Sequence, residues 1–275
     1  MISIYTSAFN VIKNQFDYIG AIDNFTKIAD ETVVAINTSQ DLSYNAFEKL
    51  FEANDEARQK DPTIGHIKIL KTNFSYKDPD LDGKVKNAAL QHCKHDICLG
   101  IDLDERININ QKSIFETYAK HLKNESPYGC TMLPVINLYG DLKHYTDINN
   151  KWYLHKREGV FRGTFAGAKN KDGTHDISKS DSCELINKNG CLIPSWSPLS
   201  GIENEEIKLR ILQEDDVPFI VHLGYLNLNQ RATRNKNFWK NHWQVECGRE
   251  VEDIPTSIEN FKPQNIKLHN ITFSF

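Results

Sequence analysis

The sequence predicts an α/β fold, with a mostly parallel central sheet covered by helices in its first half and a mixed, more irregular second half. Three observations predict it. Short β-rich runs alternate with helical periods over residues 1–125. The run Ile97 to Ile101 is apolar throughout, as a strand buried on both faces must be. Beyond Ser126-Pro127-Tyr128-Gly129 the alternation stops.

Taken in order, Ile2 to Ser7 reads as the first strand, and Ile19, Ile22, Phe25 and Ala29 recur at helical spacing after it. Thr32 to Ile36 supplies a second strand. A second helix carries Phe47, Leu50 and Phe51 on one face, and Ile67 to Leu70 forms a third strand before the polar loop Asp78-Pro79-Asp80-Leu81-Asp82-Gly83. Lys84 to Cys93 reads as a helix leading into the strand from Ile97. Ile114, Phe115, Tyr118, Ala119 and Leu122 give the cleanest helical stripe of the chain.

The second half is expected to hold strands at Cys130 to Tyr139 and Lys151 to His155, loops and mixed sheet over 163–205, and a last helix over about 227–244. Both halves, 1–125 and 126–275, are expected to join in one compact domain.

Composition narrows the function. With 275 residues, 39% hydrophobic and 25% charged, the chain is long enough for a full core and is neither disordered nor fibrous. A net charge of −4 argues against nucleic acid as the main partner. No run approaches the length of a transmembrane span, and Met1-Ile2-Ser3-Ile4-Tyr5 lacks the basic flank of a signal peptide, so a soluble, cytoplasmic protein is expected, with peripheral membrane contact left open. Six cysteines without a CxxC pair read as free thiols.

In an open parallel sheet, ligands gather beyond the carboxyl ends of the strands. The polar residues follow that rule: Ser7-Ala8-Phe9-Asn10, Asn37-Thr38-Ser39, Asn73-Phe74-Ser75 and Asp102-Leu103-Asp104-Glu105-Arg106 each follow a predicted strand. Side chains two apart on an extended segment share a face, so Asp102 and Asp104 are expected to converge on one hard cation, Mg²⁺ or Mn²⁺, which suits a diphosphate. His92-Cys93-x-His95 has no second ligand pair for zinc. Gly163 to Gly167 lacks the ending of a P-loop, and no GxGxxG follows the first strand.

Lys86-Asn87-Ala88-Ala89-Leu90 followed by Asp96-Ile97-Cys98-Leu99-Gly100-Ile101-Asp102-Leu103-Asp104-Glu105-Arg106 resembles the family 2 glycosyltransferase pattern, over roughly residues 1–125. The resemblance implies the GT-A fold, Rossmann-like, with a nucleotide-sugar-binding first half and an acceptor-binding second half. It implies that Thr6, Ala8 and Asn10 line the nucleotide site, that Asn37 lies beside the base, and that the acids of the DxD bind metal and ribose or diphosphate. Lys86 is by the resemblance a candidate phosphate contact; it stands where such enzymes usually carry Arg, which exchanges a bidentate fork for a point charge. Asp82 is a candidate for base or ribose, or a helix N-cap.

His222, after the apolar run Phe219-Ile220-Val221, is a candidate third metal ligand, as in some enzymes resembling this one, or a histidine satisfied at a strand end. Arg231 and Arg234 are candidates to neutralise the departing diphosphate, or a solvated helix face. Trp196, in a loop between Pro194 and Pro198, is the candidate sugar-stacking aromatic. Family 2 enzymes use an acidic base, and Asp181 is the candidate chosen from Glu158, Asp176, Asp181, Glu184 and Asp215.

The expected activity is thus transfer of a sugar, a hexose with inversion, from a nucleotide-diphosphate sugar to a glycan or other hydroxyl acceptor. The alternatives are a nucleotidyltransferase acting on a sugar phosphate and a catalytically inactive glycan-binding protein.

Overall fold

The computed structural model describes residues 1–38, 42–78, 80–124, 126–162, 185–197, 217–246, 248 and 267–268. Four parallel strands form the first half: β1 (Ser3–Ala8), β2 (Glu31–Asn37), β3 (His66–Thr72) and β4 (Ile97–Gly100), in the spatial order β3-β2-β1-β4. Their crossovers are the helices α1 (Tyr18–Ile28), α2 (Ser43–Lys60) and α3 (Leu81–Gln91).

Alternation along the buried strands sends side chains into two cores. On one side of the sheet Ile4, Val34, Ile22, Phe25, Phe47 and Phe115 pack together; on the other, Tyr5, Val33 and Ala35 meet Leu81, Val85 and Ala89 of α3. Each fully buried aliphatic or Phe side chain contributes about 1.5–3 kcal/mol. Of the predicted stripe, Ile22, Phe25 and Ala29 are buried and Ile19 is 55% exposed; Ala21 and Ile28 complete the buried face, and Asp17 caps α1 by accepting from Gly20 N at 3.0 Å. Phe51 of α2 is likewise exposed.

After β5 (Glu105–Arg106) and a 3₁₀ turn, α4 (Lys112–Asn124) buries Phe115, Ala119 and Leu122. Two long strands follow, β6 (Cys130–Tyr139) and β7 (His144–Lys156). β7 inserts antiparallel between β4 and β6, so one continuous sheet carries both halves. β8 (Val160–Arg162) and β9 (Leu185–Asn187) make a small ribbon, β10 (Ser195–Trp196) pairs with the start of β6, and β11 (Ile220–Tyr225) runs parallel to β6.

The predicted last helix is present in two parts, α5 (Leu228–Arg234) and a π-helical continuation over Asn235–Glu246. A last strand, β12 (Lys267–Leu268), pairs with β7. The full order β3-β2-β1-β4-β7-β6-β11-β5 leaves β1, β2, β3, β4, β6 and β11 all pointing to one edge. No helix among the described residues is long and apolar enough to cross a membrane. Cys93, Cys98, Cys130 and Cys191 are free thiols.

Candidate functional site

The carboxylates after β4 are held by a turn. Glu105 N donates to Asp102 O at 3.0 Å, so residues 102–105 fold back rather than extend. This corrects the expectation that Asp102 and Asp104 share a face: with Leu103 buried between them, the two acids look into different surroundings.

Asp102 faces the helix α3. Its Oδ1 accepts from Lys86 Nζ at 2.6 Å, the same ammonium lies 3.4 Å from Asp82 Oδ2, and Asp82 Oδ1 accepts from Ser7 Oγ at 2.7 Å. Lys86 is 1% exposed. It therefore bridges two acids from beneath, and a direct phosphate contact, expected from its place in the motif, is closed to it. Asp82 and Asp102 keep partly exposed edges above it.

Asp104 faces the second half. Strand β5 pairs antiparallel with β11, setting His222 opposite Glu105, and Leu223 N donates to Asp104 O at 2.7 Å. That pairing brings His222 Nε2 to 3.5 Å from Asp104 Oδ2. From α5, Arg234 Nη1 reaches the same oxygen at 3.3 Å and Arg231 Nη1 stands at 4.0 Å. Burial alone would raise the Asp104 carboxyl, but His222, then Arg234 and Arg231, outweigh it and hold it far below the usual carboxylate range. Glu105 goes the other way. Burial, then the adjacent Asp102 carboxylate, push it well above the usual range, and its Oε2 accepts from Asp102 N at 2.8 Å.

Two further features shape this corner. The Nε of Arg231 is buried without a hydrogen-bond partner, and its guanidinium lies over the Tyr225 ring at 4.5 Å. Gly224 makes room for the cluster, since a Cβ there would run into the His222 ring and approach Arg231 Nη1 at 3.1 Å.

The nucleotide-side residues are more enclosed than expected. Thr6 and Ala8 are buried in β1. Asn37 donates to Phe74 O at 3.1 Å and accepts from Phe74 N at 2.8 Å and from Thr72 Oγ1 at 3.1 Å, so its amide fastens the β2 and β3 loops together. Asn10, with φ of 49°, donates to Tyr76 OH at 3.0 Å. Beyond it, His242 of the π-helical segment packs on Tyr76 with ring centroids 4.0 Å apart.

Trp196 lies apart from all of these. It sits at the start of β6, stacked on Tyr118 at 6.0 Å, roughly 20 Å along the strand from Asn137 by ordinary strand rise. Asp181 lies outside the described residues, as do Asp176, Glu184 and Asp215, while Glu158 is exposed in a turn before β8.

The arrangement thus joins Asp82, Lys86 and Asp102 with Asp104, His222, Arg231 and Arg234 along one edge. Sequence reasoning placed Ser7 only within a strand-end run and missed Asn137 and Gly224. Asn137, whose Oδ1 lies 2.8 Å from His222 Nδ1, carries a signal in hindsight as the one polar side chain inside the apolar run Leu133 to Leu138.

Among the described residues, no three His, Cys, Asp or Glu side chains converge as a complete metal shell. Asp104 and His222 do supply an oxygen and a nitrogen on adjacent positions, a donor pair that suits Mn²⁺ or Mg²⁺ when phosphate and water complete the shell. Around these acids stand three cations, Lys86 at Asp82 and Asp102, and Arg231 and Arg234 at Asp104.

No family model matches the chain, and no curated protein matches it. Among solved structures it is similar to S. aureus TarS 1-349 in complex with UDP-GlcNAc, at 13% identity and a TM-score of 0.40, over 88% of this chain and 74% of that one. The match to the S. aureus TarS structure has 19% identity and a TM-score of 0.35, and there the chain spans only 22% of its relative's length. A mannosyltransferase, PcManGT from Pyrobaculum calidifontis in complex with GDP-Man and Mn²⁺, is similar at 13% identity and a TM-score of 0.38, over 57% of this chain and 44% of that one. Likenesses this distant assign neither activity nor ligand.

Proposed function

We propose that the chain transfers a hexose, with inversion, from a nucleotide-diphosphate sugar to a glycan or other hydroxyl acceptor. The observation that carries this reading is the Asp104 cluster: one carboxylate at the strand-end edge, met by an imidazole at 3.5 Å and by guanidinium groups at 3.3 and 4.0 Å. Asp104 and His222 would hold Mn²⁺ or Mg²⁺, and the bound cation supplies Lewis acidity toward a diphosphate leaving group. Arg231 and Arg234, both beside the same Asp104 oxygen, would add positive charge toward the diphosphate.

Asp102 and Asp82, steadied by Lys86, accept from ribose or base hydrogen-bond donors, and the loops after β1 and β3 wall the nucleoside from water. A carboxylate from the second half takes the acceptor proton, with Asp181 the candidate that sequence reasoning selects.

Binding of UDP-, GDP- and CDP-sugars measured with and without Mn²⁺, in the wild type and in Asp104→Ala, tests the reading. One donor class should bind in a metal-dependent way, and Asp104→Ala should weaken it by at least tenfold and abolish transfer. Equal, metal-independent binding of every donor, or unchanged turnover in the variant, sinks it. Consumption of a nucleoside triphosphate with a sugar phosphate would replace it by a nucleotidyltransferase.

A further inference from the structure

Between two points of shared register, β11 holds one more residue than β6. His222 lies opposite Asn137 and Tyr225 opposite Tyr139, so Leu223 and Gly224 of β11 stand against Leu138 alone. A bulge of this kind re-aims the side chains that follow it. Three residues apart on a regular strand, His222 and Tyr225 would point to opposite faces; with the extra residue, both leave the sheet on the face that Asn137 and Tyr139 share. The rings agree with that placement. Tyr225 meets His222 edge to face at 5.6 Å and stacks on Tyr139 at 6.5 Å, with 20° between the two tyrosine planes.

Because Arg231 lies over the Tyr225 ring at 4.5 Å, the aromatic pair begins where the Asp104 cluster ends. Gly140 N donates to Tyr225 O at 3.0 Å and ties the two strand ends together, and Asp141 stiffens the following turn by accepting from Lys143 N at 2.7 Å and from His144 N at 2.9 Å. Among the described residues, Gly140, Asp141, Leu142, Lys143 and Leu226 line an open cleft of about 500 Å³ next to the half-buried tyrosines. Flat rings, two leucines, a carboxylate and an ammonium thus adjoin one another. A pyranose carries the matching surfaces, an apolar C–H face and a rim of hydroxyls, whereas an alkyl chain has nothing to offer the charged groups.

We propose that Tyr139 and Tyr225 form the acceptor subsite, and that the acceptor is a glycan whose terminal pyranose packs on this pair with its hydroxyl rim toward the cleft at 140–143. This rests on the reading of the chain as a glycosyltransferase. Asp82, Lys86 and Asp102, assigned above to the donor, belong to the first half, while both tyrosines and the cleft belong to the second. The distance from the Tyr225 ring to the His222 ring is one that a single sugar ring spans, so a pyranose on the pair reaches the Asp104 cluster with one of its hydroxyls. The stacking role that sequence reasoning gave Trp196 passes to these tyrosines, because Trp196 stands at the far end of β6.

The test uses the full chain, with the methyl pyranosides of glucose, galactose, mannose and N-acetylglucosamine as probes and cyclohexanol as a six-membered ring without the hydroxyl rim. Carbon-13 NMR of the tyrosine rings should show Tyr139 and Tyr225 shifting saturably with at least one pyranoside, and less with cyclohexanol. Read at Tyr225, Tyr139→Phe should keep that affinity, and Tyr139→Leu, which retains apolar bulk without an aromatic face, should weaken it about 3–10-fold, the range one aromatic contact supplies. Binding of UDP-, GDP- and CDP-sugars should be the same in Tyr139→Leu and the wild type.

No response of the rings to any pyranoside, equal affinity in Tyr139→Leu and Tyr139→Phe, or a response to cyclohexanol as strong as to the sugars overturns the subsite. Loss of nucleotide-sugar binding in Tyr139→Leu together with pyranoside binding marks a merely structural role and also overturns it. Ring-dependent pyranoside binding by a wild-type protein that binds no nucleotide sugar overturns the transferase reading itself, which separates the two failures.

Discussion

Lys86 Nζ lies 2.6 Å from Asp102 Oδ1 and 3.4 Å from Asp82 Oδ2, with 1% of the lysine side chain exposed. A buried ammonium between two acids settles where those acids point. Replacing Lys86 by Met, of similar length, should leave two carboxylates without a counter-charge. Removal of one partner from a fully buried pair costs about 3–5 kcal/mol. The acids here are 36% and 23% exposed and can recruit water, so the expected cost is about 2 kcal/mol. Urea denaturation checks it. A Lys86→Met protein as stable as wild type would mean that the lysine does not hold the acids.

Gly224→Ala places a methyl group against the His222 ring and near Arg231. Overpacking of this kind typically costs about 1–3 kcal/mol. The larger consequence is displacement of His222 from Asp104, so Mn²⁺-dependent donor binding should fall by at least tenfold while the folded protein persists. Calorimetry of donor binding, read beside the thermal midpoint, measures both. Unchanged binding would show that the ring tolerates the shift.

His95 and His66 predict the acid response of the fold, far from the cation cluster. Burial, first, lowers both below the ordinary histidine value of 6.5, with Asp30 opposing at His95 and Arg58 adding at His66. A base whose folded value is depressed binds its proton more readily in the unfolded chain. Its stabilising share is complete above pH 6.5 and is lost as the pH falls through the folded value. His95→Leu should flatten the decline of stability below pH 6.5, as read from denaturation midpoints at a series of pH values. An unchanged slope would remove His95 from the account.

The cysteines predict a labelling order. A hydrogen bond with Cys93, then burial, push the Cys98 thiol well up, and Cys93 and Cys130 are also buried, whereas Cys191 is exposed. Of these four, Cys191 should be alkylated within minutes in the native protein and the other three only on unfolding. Peptide mass spectrometry reads the order, and early labelling of Cys98 would contradict the core described above.

What could be read from the amino-acid order follows the range of the forces involved. The run Cys130 to Tyr139 marks its own strand to the residue, and the stripe around Phe115 and Leu122 marks α4, because a repeat of local apolar burial writes itself into spacing. Asp102 and Asp104 were legible as chemistry but not as geometry. Their two-residue spacing implies one face only if the segment is extended, and the backbone hydrogen bond from Glu105 to Asp102 makes it a turn.

The meeting of Asp104 with His222 depends on β5 pairing with β11, and Asn137 enters through the pairing of β11 with β6. Register between segments more than 80 residues apart leaves no periodic trace. The same is true of Trp196, whose flanking prolines suggested a loop and whose backbone instead pairs with β6.

The hydrogen bonds from Gln230 and Arg234 to the carbonyls of Asn14 and Gln15 connect positions 215 to 220 residues apart. Closing so long a loop carries a large entropic cost before any contact rewards it, and such contacts tend to form late. Synthesis proceeds from the other end. The four parallel strands, with Asp102 and Lys86, are therefore synthesised well before α5. Arg231 and Arg234 reach Asp104 only when that helix docks, so the cluster around Asp104 is completed by long-range closure rather than by the first half alone.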